Sequence, residues 1–84
     1  MTTDTAEVES SEREIYEGCT IAENTEANRV QFIFDGKPSE EVRAILKNHA
    51  FKWAPSQGAW QRQLTNAARF AGQQVERQLK EIMG

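Results

Sequence analysis

No stretch of the 84 residues approaches the ~20 consecutive apolar residues of a membrane span, which excludes a helical membrane anchor. The start, Met1-Thr2-Thr3-Asp4-Thr5, lacks the basic opening and apolar run of a secretion signal, so a cytoplasmic protein is expected. There is one cysteine, Cys19, which forms no internal disulfide and fits a reducing compartment. There is one histidine, His49, and no Ser or Cys is placed by the sequence to act with it. One of each also falls short of a zinc site. No glycine-rich phosphate loop exists, and Asp35-Gly36-Lys37-Pro38 reads as a turn. Asp35, Glu40 and Glu41 are hard oxygen donors, but their position suits a helix start better than a metal. No internal repeat is visible.

These absences leave no expected catalytic residue, metal ligand set or cofactor. The expected role of His49 is packing or capping where a helix ends. The chain reads as a binding protein rather than an enzyme.

Its composition is ordinary for a small soluble domain, 38% hydrophobic and 27% charged. A chain this short buries only about 60% of its unfolded surface, so modest stability is expected. The net charge of −3 conceals an asymmetry. Residues 1–26 carry eight carboxylates against Arg13 alone, a balance of −7, while residues 27–84 carry nine cations against five carboxylates, +4. An acidic arm on a basic body points to a polyanionic partner or an acidic interaction tail. The arm, residues 1–17, is expected to be disordered, with at most a weak helix over 10–17, because it has too little apolar surface to offset its ordering entropy. It serves as a solubilising tail, folds back on the basic body, or imitates nucleic acid.

The domain proper is expected over 18–84. Residues 18–23 read as an edge strand and 24–27 as a turn. Residues 28–34 form the clearest strand, with Val30, Phe32 and Phe34 inward and Ile33 on the other face. Ser39 caps a helix over 40–48, with Glu40 and Glu41 in its first turn. Val42, Ile45, Leu46 and His49 recur at helical spacing, and Arg43 and Lys47 lie on a flank. Asn48 is expected to take the left-handed position at its end. Thr65 caps a second helix from 66 to about 82, with Leu64, Ala68, Ala71, Val75, Leu79 (or Gln78) and Ile82 as its stripe and Phe70 beside it. Gly72 reads as a close-packing point, since glycine inside a helix costs ~1 kcal/mol relative to alanine.

Between the helices lies AFKWAPSQGAWQRQL, residues 50–64. Pro55-Ser56-Gln57-Gly58 is a turn, so two short strands form a hairpin. If Ala54 and Ala59 close it, Trp53 faces Trp60 and Phe51 faces Arg62. Phe51, Trp53, Trp60, Arg62 and Leu64 then share one face, and Lys52, Gln61 and Gln63 the other. The tryptophans are expected to pair over the core, and the opposite face to be the contact surface.

The expected fold is α+β, ββαββα: a four-stranded, mostly antiparallel sheet with two helices on one face. Strand 28–34 lies beside 59–64, with 18–23 and 51–54 at the edges. The expected core comprises Phe32, Phe34, Leu46, Phe51, Trp53, Trp60, Phe70 and Val75. Lys47, Lys52, Arg62 and Arg69 are candidates for phosphate contact, with Gln61 and Gln63 as hydrogen-bonding groups.

The segments Asn28-Arg29-Val30-Gln31, Phe34-Asp35-Gly36-Lys37-Pro38, Phe51-Lys52-Trp53-Ala54-Pro55 and Gly58 through Asn66 (GAWQRQLTN) carry a resemblance. They resemble a small module of large multidomain proteins of conjugative elements and phages, found near antirestriction-type, methyltransferase or helicase-like regions. The likeness covers about residues 18–80 and leaves out the acidic arm. It implies a mobile-element setting and DNA transactions, and it carries no mechanism. Here the module stands almost alone, which departs from that large-protein setting. The expected function is a non-enzymatic, nucleic-acid-associated binding module. The alternative is a small protein-binding inhibitor of a host defence nuclease, of anti-CRISPR or antirestriction type.

Overall fold

The computed structural model describes residues 10–83. Within them the chain forms strands β1 (Ser10–Tyr16), β2 (Cys19–Asn24) and β3 (Arg29–Phe34), helix α1 (Glu40–Asn48), strands β4 (Lys52–Ala54) and β5 (Ala59–Gln63), and helix α2 (Asn66–Met83). The strands make one antiparallel sheet in the order β1-β2-β3-β5-β4. The α+β class, the antiparallel sheet, the two helices and the β3–β5 pairing are as the sequence predicts. No helix among the described residues is long and apolar enough to cross a membrane.

The sheet has five strands rather than four. Residues 10–16, expected within a disordered arm or a weak helix, pair with β2 along its length, and β2 is therefore interior. Residues 1–9 of that arm lie outside the described residues. The strand survives its polar sequence because an edge strand needs partners on one side only. Charged residues such as Glu12, Arg13 and Glu14 discourage pairing on its free side. Two contacts anchor it. Ile15 is buried in the core, beside a register shift between Glu14 and Tyr16. Across the sheet, Arg13 Nε and Nη2 donate to the two carboxylate oxygens of Glu76 in α2.

Side chains alternate along β3, and directly paired residues share a face. Cys19, Ile21, Val30, Phe32 and Trp60 therefore point the same way. All are buried, under the two helices. Phe32 meets Phe51 edge to face, with ring centroids 5.0 Å apart. Leu46, Val75 and Leu79 complete the centre. Gly72 lies where α2 crosses β2 and β3: a Cβ there would stand 3.3 Å from Ile21 Cδ1 and 3.6 Å from Val30 Cγ1. The close-packing reading of this glycine holds.

Both helix starts follow the sequence. Ser39 Oγ accepts from Val42 N at 3.3 Å, and Thr65 Oγ1 accepts from Ala68 N at 3.0 Å. The end of α1 differs. His49 is the capping residue, and Ala50, not Asn48, takes the left-handed conformation, with φ 68°. Phe51 N donates to Leu46 O and Ala50 N to Lys47 O, the paired bonds of a left-handed C-terminal cap. That cap seats Phe51 directly against the core.

Two expected core residues are not core. Phe70 is 62% exposed, because at 100° per residue it lies on the side of α2 away from Ala68, Ala71 and Val75. Trp53 is 51% exposed, whereas its partner Trp60 is 6% exposed. Phe34 is partly buried and packs against the core.

Candidate functional site

The hairpin pairs as its sequence predicts: Lys52 with Gln61, Trp53 with Trp60, Ala54 with Ala59. Gly58 takes φ 64° in the turn, and its N–H donates to Ala54 O at 2.9 Å. The Trp53 and Trp60 ring centroids are 6.0 Å apart, tilted by 51°. The two indoles lie on the helix side of the sheet, but burial ends between them. Trp60 sits on β5 under the helices. Trp53 sits one strand further out, on the edge, beyond their reach.

The uncovered indole forms part of a groove of ≈ 1130 Å³ between the hairpin, the loop after β3, and α1. Trp53 gives it an open aromatic face beside the partly buried Phe34, with the buried Phe51 and Trp60 beneath, and Lys37, Arg43, Lys47 and Lys52 line it, with Asp35 the one acid in its lining. Among the described residues none of these four cations forms an ion pair. Arg43 Nη1 donates to Pro38 O at 3.3 Å, which holds its guanidinium beside the loop. Four cations against one carboxylate, around a half-open tryptophan, make the groove electropositive while the chain as a whole is acidic.

The predicted contact residues separate. Lys47 and Lys52 both line the groove, Lys47 from α1 and Lys52 from the edge strand, where alternation directs its side chain to the face away from the helices. Arg62 instead turns inward: its Nη1 donates to His49 O at 2.9 Å, and its guanidinium lies 5.9 Å from the Phe51 ring centre. It secures the carbonyl end of α1 to β5. Arg69 pairs with Glu23 at 3.2 Å and also reaches Asn66, on the β2 side of the sheet. Gln61 accepts from Gln31 Nε2 at 2.9 Å on the face away from the helices. That bond satisfies the side-chain amide of Gln31, which is 6% exposed in the middle of that face beside the buried Ala22. Gln63 is exposed on the same face. Sequence reasoning missed Lys37 and Arg43 as neighbours of the hairpin. The signal was present in the β3–β5 pairing, which carries the Asp35–Pro38 loop to the turn end of the hairpin.

His49 is held by its backbone N–H to Leu46 O and by Nδ1 to Ile45 O at 2.9 Å, a capping position. Burial pushes the Cys19 thiol up to about 11 and the neighbouring Tyr16 phenol up to about 12, so neither is a ready nucleophile. The Arg13 guanidinium holds the Glu76 carboxyl below its ordinary range, with Lys80 adding to it at 3.2 Å. Among the described residues no three His, Cys, Asp or Glu side chains lie together so as to hold a metal ion.

A family model described as Domain of unknown function (DUF8626) matches residues 32–78, more than half of the chain, from mid-β3 well into α2. The matched segment contains the whole groove and excludes β1 and β2. No curated protein and no solved structure matches the chain.

Proposed function

From a chain that belongs to the family described as Domain of unknown function (DUF8626), we propose a non-enzymatic nucleic-acid-binding module whose contact surface is the groove between α1 and the β4–β5 hairpin. The observation that carries this reading is the exposed Trp53 among Lys37, Arg43, Lys47 and Lys52. Phosphate contacts come from cations that form no ion pair among the described residues, and aromatic faces take bases. The candidates Arg62, Arg69 and Gln61 drop out of the proposed interface because none lines the groove and each is bonded elsewhere in the domain. The likeness of the hairpin and loop segments to modules of mobile elements favours DNA as the polymer.

The test is a titration of the full chain with labelled DNA at about 20 mM and about 200 mM salt, beside the double variant Lys47→Glu/Lys52→Glu. Binding at the lower salt, weakened at the higher salt and removed by the double variant, is expected. Absence of binding at the lower salt overturns the proposal. So does recovery from a lysate of a defence nuclease with no nucleic acid, which would favour the inhibitor reading.

A further inference from the structure

The groove's shape narrows the polymer class, and this step rests on the nucleic-acid reading above. We infer that the groove takes an unpaired strand, with one base stacked on the open indole of Trp53, and that a single domain covers about three nucleotides.

Four observations carry this. The first is where the aromatic surface lies. Trp53 lines a groove together with Gly58, Trp60, Ala50 and the α1 residues Arg43 and Lys47, with about half of its surface open. Bases in a duplex stack on one another and present only their edges in the grooves, so this indole finds no free base face there. An unpaired base has free faces and enters. The second is the state of Trp53. It leaves about half of its surface open although its cross-strand partner is buried, and it lies 6.0 Å from that partner. Its edge-strand position thus offers a stacking surface on a rigid hairpin rather than on a mobile loop. The third is size. A drug-sized ligand fills roughly 300–1,000 Å³, so ≈ 1130 Å³ holds on the order of two or three nucleotides. The fourth is charge. Lys47 on α1 lies across the groove from β4, the indole's own strand, with Lys37 and Arg43 at the loop end and Lys52 preceding Trp53 on the sheet edge. Phosphates of a strand laid along the groove thereby meet cations on its helix and loop sides.

Counting these four cations as the upper limit of phosphates neutralised, single-strand binding should lose affinity with a log–log salt slope no steeper than about −3, since each neutralised phosphate contributes roughly −0.7. A slope near −7 would require about ten contacts, more than the groove supplies.

The experiment uses the full chain and fluorescence anisotropy with oligothymidylates of about 2 to 12 nucleotides, a duplex of about 20 base pairs, and inorganic polyphosphate as a baseless polyanion. Expected are an affinity that rises to about three or four nucleotides and then levels off apart from statistical gain, weaker duplex and polyphosphate binding, and a slope between about −2 and −3. Trp53→Ala should weaken single-strand binding by roughly five- to a hundredfold, and Trp53→Phe should restore most of it. Far-ultraviolet circular dichroism checks that both variants are folded. Duplex or polyphosphate binding as tight as single strand, an affinity still climbing at the longest oligomer, or an unchanged Trp53→Ala variant would overturn this inference while leaving the general proposal standing. If no polymer binds at low salt, the general proposal fails first.

Discussion

Replacing Ala50 by glycine should stabilise the domain, a direction opposite to that of most substitutions. Ala50 has φ 68°, in the left-handed region. An L-residue with a Cβ pays roughly 1–2 kcal/mol there, because the Cβ approaches the following carbonyl oxygen. Glycine removes that cost. It also frees the unfolded chain, which costs about 0.4–1 kcal/mol. Ala50 is exposed, so little buried area is lost with the methyl. The net expectation is a gain of about 0.5–1 kcal/mol. The cap itself stays, since its bonds from Phe51 N to Leu46 O and Ala50 N to Lys47 O use backbone only. In urea the midpoint should rise with the slope unchanged, and in a thermal melt the midpoint should rise by about 2–8 °C for a domain of this size. The mirror substitution, Gly58→Ala, isolates the same term. Gly58 has φ 64°, and a Cβ there would meet nothing within 4 Å, so only the conformational penalty remains and the midpoint should fall by a similar amount. A lowered midpoint for Ala50→Gly, or a raised one for Gly58→Ala, would refute the argument that backbone strain is stored at the end of α1.

Two further expectations concern stability. Trp60→Ala removes a buried ring and should cost about 3–5 kcal/mol, enough to unfold much of a small domain, whereas Trp53→Ala at the open edge should cost under about 1 kcal/mol; chemical denaturation of the two variants side by side reads the difference. Glu76→Gln weakens a charge-assisted contact between the buried Glu76 and Arg13, whose side chain is more than half exposed, and after solvent screening should cost about 1 kcal/mol near neutral pH. Because Glu76 titrates below its ordinary value of 4.5 in the fold, its contribution is present above that value and is lost as pH falls through the lower folded value. The gap between wild type and Glu76→Gln should therefore close on acidification, as read by urea midpoints from about pH 7 to about pH 3; a gap independent of pH would contradict the assigned role.

Much of the fold was legible because its signals are local. Alternation in Arg29–Phe34, hydroxyls at Ser39 and Thr65, and Pro55 and Gly58 around a turn each act within a few residues. The hairpin register followed from the turn alone, and it placed Trp53 opposite Trp60 correctly. Phe70 was misread as core, although its angle from Ala68 around α2 sets it outward. By contrast β1 was hidden. Its composition is that of a disordered segment, and the partners that order it, β2 and Glu76, are supplied from elsewhere; Glu76 lies 63 residues along the chain from Arg13.

The amino-acid order settled which residues form each helix, which turn joins β4 to β5, and which side of the sheet each tryptophan faces, because dihedral preference, capping and strand alternation are short-range. It also settled that cations outnumber carboxylates after residue 26. It left open which of two aromatic residues on one face is covered. That depends on how far two helices reach across the sheet, and burial depends on every element that packs nearby. The covering stops at Trp60, and Trp53 is left open beside Lys47 and Lys52. Arg62, which looked in the sequence like their equal, is drawn inward by the carbonyl of His49.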